Sequence, residues 1–121
     1  MMMMMMNENM TAEMQTCMQA CMDCHKMCME TMTHCMTKSG KHMDMGMMSM
    51  MRDCSEMCMM AMNMMMSGSE FMHRTCMLCA EMCEKCGMMC EQMSDDSKMM
   101  ECAAACHKCA ESCKMMGMMH A

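Results

Sequence analysis

The chain has no proline, tryptophan, tyrosine, isoleucine or valine, one phenylalanine, Phe71, and one leucine, Leu78. With no proline and five glycines, little interrupts long helices. No stretch carries a strand signal, which removes the βαβ setting that a thioredoxin-like C-x-x-C needs. No glycine-rich phosphate loop is present. A basic stripe and an aromatic platform are both missing, and the net charge is -6, so a nucleic-acid partner is not expected. Charged residues recur every few positions, so no segment approaches the ~18 apolar residues of a membrane helix.

What the chain has instead is sulfur: 39 Met and 16 Cys in 121 residues, a length that suits one domain with one core. The opening "MMMMMMNENM" lacks the basic leader, long apolar run and cleavage site of a secretory signal, and residues 1–9 read as a disordered Met-rich start. The expected compartment is then the cytoplasm, where thiols stay reduced. There, so many cysteines favour metal or redox chemistry over a disulfide framework. The even count alone also fits a disulfide scaffold, so the spacing must decide.

That spacing is regular. "CMQACMDCHKMC" places Cys17, Cys21, Cys24 and Cys28 in a 4, 3, 4 rhythm. The rhythm returns at Cys79, Cys83, Cys86 and Cys90, and at Cys102, Cys106, Cys109 and Cys113. With Met, Ala and Thr it extends into four seams, which also take in Cys35, Cys54, Cys58 and Cys76. Turn signals separate them: "KSGKHMD" around Gly40 with Asp44 as a cap, "SGSE" with a Ser67 to Glu70 capping-box spacing, and the caps of "SDDS". The expected helices span 10–38, 44–66, 69–93 and 96–116, with 117–121 as a C-terminal tail. Short connections make consecutive helices antiparallel, so the predicted fold is all-α: an up-down-up-down four-helix bundle over residues 10–116. A 3-4 repeat faces the bundle axis, and the core should be lined with layers of sulfur.

One buried thiol is an ordinary small hydrophobe. Sixteen on the seams make a poorer core than leucine would, so another need selects them. Bridge geometry is demanding, and neighbouring thiols on one helix point the same way, which argues against disulfides. For metals, charge discriminates. Cu(I) replaces one proton per thiolate and leaves the core neutral, whereas an isolated zinc with four thiolates keeps a net double negative charge that is costly to bury. No Lys or Arg lies on the seams between the cysteines to offset it. Thiolate shared between ions would neutralise zinc too, so zinc stays open. Soft sulfur donors favour Cu(I), and zinc ligands usually gather in loops at one point. The expectation is many Cu(I) ions, roughly one per Cys, bridged between thiolates. Many equivalent thiols, none paired with a base, argue against an enzyme.

The repeated C-x-x-x-C-x-x-C-x-x-x-C, with "MRDCSEMC" (51 to 58) and "SEFMHRTCMLCAEMCEKC" (69 to 86), resembles the cysteine-rich four-helix-bundle copper storage proteins over roughly residues 10–116. The resemblance is to the cytosolic type. It implies Cu(I) bound to the core cysteines, association into a homotetramer, and copper uptake at one open end near His and Met residues. One end of the seams finishes in Met10, Met14, Ala61, Met65, Met72 and Met116, which reads as a plug. The mouth is therefore expected near His34, His42, Met43, Met47, Met48 and Met51, although both His also suit an ordinary solvated surface. His25, His73, His107 and His120 read as surface residues.

The departure from the family is Met at nearly every position where aliphatic residues are expected, including Met18, Met29, Met32 and Met36. The chain reads as a family scaffold rewritten with Met, as an engineered protein would be. Two alternatives stay beside Cu(I) storage: an engineered Met-rich helical bundle with incidental metal binding, and a zinc or thiol buffer of metallothionein type. The Met stripe of the first helix (Met18, Met22, Met29, Met32, Met36) suits either flanking core or a face between bundles.

Overall fold

The computed structural model describes residues 11–38 and 40–119, without the side chains of Lys41 and Met43. Residues 1–9, Met10, His120 and the Met43 side chain, all assigned above, lie outside the described residues.

Four α-helices account for nearly all of the described chain: α1 (Ala12–Met36), α2 (Met45–Ser67), α3 (Met72–Glu91) and α4 (Ser97–Met118). Local chemistry sets their ends. Thr11 Oγ1 accepts from Met14 N at 3.0 Å and starts α1. Asp44 does the same for α2 through Met47 N, also at 3.0 Å. Asp96 starts α4, its Oδ1 accepting from Lys98 N and Met99 N. Each such cap satisfies amide donors that the first turn of a helix leaves unpaired.

Several boundaries differ from the sequence-based expectation: α3 ends at Glu91 rather than 93, and α4 runs to Met118, taking in the first two residues of the expected C-terminal tail. The first helix stops at Met36, before Gly40, because Thr37 Oγ1 donates to the His34 carbonyl at 2.7 Å and closes the last turn. Gly40, at φ +69°, opens a short 3-10 helix, Gly40–Met43. The Ser67 to Glu70 capping box does not form. Ser67 is the last residue of α2, which ends on Gly68 in the left-handed conformation, and α3 begins only at Met72 without a side-chain cap.

The helices form an antiparallel ring in which α1 packs on α2, α2 on α3, α3 on α4 and α4 back on α1. Small buried residues let them approach closely: Ala20 on α1, Ala61 on α2, Ala80 and Gly87 on α3, Ala103 and Ala110 on α4. At Gly87 a methyl group would stand 2.8 Å from the His107 ring, so a larger residue there would oblige that ring to shift. Polar brackets tie neighbours together. His25 Nδ1 lies 2.7 Å from Ser55 Oγ, and His73 Nδ1 donates to the Met116 carbonyl at 2.8 Å. With His107 bonded to Glu91, the three described histidines read as surface residues are partly exposed, and each has a hydrogen-bond partner.

The Met stripe of α1 divides. Met18, Met22 and Met32 pack against the core, while Met29 and Met36 are exposed.

Candidate metal centre

All sixteen cysteines are buried and free. None exceeds 1% exposure, so every one sits on the bundle side of its helix. Their sulfur atoms make an unbroken path. It runs Cys17, Cys113, Cys21, Cys109, Cys58, Cys83, Cys54, Cys24, Cys106, Cys28, each Sγ within 3.5–4.0 Å of the next. Those separations exceed the roughly 2.05 Å of a disulfide and suit atoms held on either side of a bound ion. Successive steps alternate between helices, so the path uses all four.

Three groups of four, drawn from this path and from Cys79 beside it, could each hold a metal: Cys21, Cys79, Cys109 and Cys113; Cys24, Cys58, Cys83 and Cys109; Cys24, Cys28, Cys54 and Cys106. They are not separate sites. Cys109 belongs to the first two and Cys24 to the last two, so ions placed in them would be joined through shared sulfur. Cys86, Cys90 and Cys102 interact with one another and, through Cys102, with Cys28 and Cys106. Cys76 joins Cys17 and Cys113 at the other end.

The thiols ionise as a coupled set. Bonds from Cys106 and then Cys109 pull Cys24 well below the ordinary thiol range. Cys106 is pushed well above it by its bonds to Cys102 and Cys24 and by burial. At the two ends the behaviour is simpler. Cys35 is raised by burial, then by the negative charges of Asp96 and Cys102. At Cys76 a bond to Cys113 pulls downward, but the bond to Cys17 and burial outweigh it and push the thiol up to about 12.

At the Cys35 end the chain brings together part of the expected mouth. His34 and His42 both reach Asp96 Oδ2, at 2.9 Å and 2.8 Å. The three are half-buried, and their ligand atoms lie within 4.8 Å of one another. The two imidazoles, His34 first and then His42, hold the Asp96 carboxyl below its usual range. Of the methionines expected at this mouth, Met47 and Met51 are buried and Met48 is half-buried. Cys35 Sγ lies 3.7 Å from Met99 Sδ, which begins the sulfur core. Met51 and Met99 are fully buried, and Met65, Met72 and Met116, which the sequence places toward the opposite end, are nearly so.

Asp96 was missed as a site residue in the sequence. Its position before a helix accounts for it locally as a cap, and only the fold shows its second oxygen facing two imidazoles. Thr31, a seam residue between Cys28 and Cys35, is fully buried, and among the described residues its Oγ1 has no hydrogen-bond partner.

Comparison with known proteins places this geometry in context. A sequence model of the copper storage protein family matches residues 10–118. An uncharacterized cysteine-rich protein of Bacillus subtilis (strain 168), YhjQ, is 38% identical over 82 residues, covering 68% of this chain and 76% of that protein. The crystal structure of the Nmul_A1745 protein from Nitrosospira multiformis superposes with a TM-score of 0.83 at 37% identity, covering 89% of this chain and 97% of that one. The Cu(I)-bound copper storage protein BsCsp3 gives a TM-score of 0.82 at 37% identity, covering 87% and 98%. The apo form of copper storage protein 3 from Bacillus subtilis gives 0.77 at 37% identity, covering 85% and 97%.

Proposed function

The chain belongs to the copper storage protein family, and we propose that it stores Cu(I), many ions at a time, on the cysteine thiolates inside its bundle. The observation that carries this is the unbroken path of sulfur from Cys17 to Cys28, with thiolates shared between adjacent quartets. Shared ligands suit a chain of bridged ions better than isolated centres.

The choice of Cu(I) rests on charge and softness. Thr31 and Ser55 are the only buried polar residues among those described, and neither is a cation. A core of zinc-thiolate quartets would keep negative charge with nothing nearby to balance it. One Cu(I) for each displaced proton leaves the core neutral, and soft sulfur donors favour Cu(I). We therefore assign all sixteen cysteines as ligands, with roughly one Cu(I) per Cys. Uptake is assigned to the end marked by His34, His42, Met43, Met47, Met48 and Met51. Met99, buried beside Cys35, stands next to the sulfur core at that end. Binding and release are the whole mechanism, with no catalytic step.

The protein is assigned to the cytoplasm, where sixteen thiols remain reduced and ready to bind. No helix among the described residues is long and apolar enough to cross a membrane. A homotetramer is the assembly proposed, with exposed thioethers such as Met29 and Met36 available for contacts between bundles.

Reduced protein loaded separately with Cu(I) and Zn(II) under nitrogen, each against a competing chelator, tests the proposal. The expected result is close to one tightly held Cu(I) per thiol. A preference for zinc at one ion per two to four thiols would favour a general metal buffer. A few easily stripped ions of either kind would favour a packing scaffold.

A further inference from the structure

We propose that His34, His42 and Asp96 form a second metal site, for a borderline divalent cation of the zinc class, chemically separate from the sulfur core. The three come from α1, the 3-10 helix and the residue that caps α4, and they converge on one point at the end of the bundle. Their donor set is two imidazole nitrogens and one carboxylate oxygen. It contains no sulfur, so it favours Zn²⁺ and similar ions where the core favours Cu(I).

The geometry is close to that of a ligand set. At metal–ligand distances of about 2.0–2.1 Å in a tetrahedral site, neighbouring donor atoms stand about 3.3–3.4 Å apart. The observed Nε2 to Oδ2 separations, 2.9 Å and 2.8 Å, are hydrogen-bond lengths, so an ion entering the group needs each to open by about half an ångström. The rings meet edge to face, with centroids 5.8 Å apart and planes inclined at 71°, so both nitrogens converge without stacking. The carboxylate is held in place from behind: Oδ1 accepts from Lys98 N at 2.9 Å and Met99 N at 3.2 Å, leaving Oδ2 to the site. Such support fixes the orientation of a metal-binding carboxylate.

Coordination at Nε2 requires each neutral ring to carry its proton on Nδ1, exchanging a hydrogen bond to Asp96 for a bond to the ion. A dication on this set leaves a single net positive charge. The side chains are 25%, 16% and 15% exposed, so water can fill the remaining positions. His34 precedes Cys35, so an ion here sits at the approach to the first sulfur layer.

Two experiments test the site. Cu(I)-saturated protein, freed of excess copper, is dialysed against Zn²⁺ under nitrogen. The native chain should retain about one Zn²⁺, as three protein ligands plus water would. His42→Gln should retain none, and neither should Asp96→Asn, which keeps the helix cap. Retention by both variants would overturn the site. Separately, histidine side-chain ¹⁵N spectra of the reduced, metal-free protein are followed as Zn²⁺ is added. Large shifts of Nε2 in His34 and His42 are expected, whatever the thiols do. Unmoved ring signals at saturating Zn²⁺ would show that the three residues are only a structural clamp. Failure to load copper would count against the storage proposal, while the ring spectra would still decide this one.

Discussion

Cys21 Sγ and Cys113 Sγ stand 3.5 Å apart although 92 positions separate them in the chain. The first and last helices meet along this contact, and Cys113 also touches Cys17 and Cys109. No thiol in the core acts alone, and the consequences of removing one depend on how many neighbours share it.

Cys109 is common to two of the candidate quartets and Cys35 to none. Cys109→Ser is therefore expected to lower the Cu(I) capacity by more than one ion per chain, and Cys35→Ser by about one. Copper counted against a competing chelator checks this. Equal losses from the two variants would mean that the ions are held independently.

Thr31 is fully buried, and its hydroxyl has no partner among the described residues. Leaving such a group unsatisfied costs about 1–3 kcal/mol. Thr31→Val, which keeps the shape and removes the hydroxyl, should stabilise the metal-free protein by up to about that amount in urea unfolding. A lower urea midpoint would show that the hydroxyl has a use in the folded state.

Asp96 combines a helix cap with two imidazole partners. Losing the cap alone costs about 0.5–2 kcal/mol, so Asp96→Ala should destabilise by at least that much. Asp96→Asn should cost less because asparagine caps equally well. Thermal melts of both variants separate the two roles.

The stability of the metal-free protein should fall in alkali. Within the coupled path, upward shifts such as that of Cys106 and downward shifts such as that of Cys24 oppose one another. At the ends, Cys35 is raised above the ordinary thiol value of 9.0 and Cys76 is pushed up to about 12. An unfolded thiol loses its proton near 9.0 while these two keep theirs, so above that pH the folded state binds more protons than the unfolded state. Stability from these groups is complete below pH 9.0 and declines as pH rises toward 12. Urea midpoints of reduced protein across this range should drop. A rising midpoint would contradict the assignment.

The sequence made the thiol core legible because helical periodicity is a property of one strand of chain: a 3-4 rhythm puts Cys17, Cys21, Cys24 and Cys28 on one side of α1 whatever surrounds it. The same holds for Asp44 and Asp96 as caps, which act on amides two or three residues away. Relations between helices were not legible. Nothing near His25 indicates that Ser55 would meet it, and nothing near His73 points to the Met116 carbonyl. The start of α3 was misplaced for a related reason. Ser67 and Glu70 have capping spacing, but Gly68 at φ +67° first ends α2, and the turn delays the next helix to Met72.

The most direct test of the account is an anomalous-scattering map, at the copper edge, of crystals of the Cu(I)-loaded protein. Copper peaks strung between the sulfur atoms from Cys17 to Cys28, several of them sharing Cys24 or Cys109, are the result predicted. Peaks confined to exposed methionines or histidines, with an empty thiol core, would contradict it.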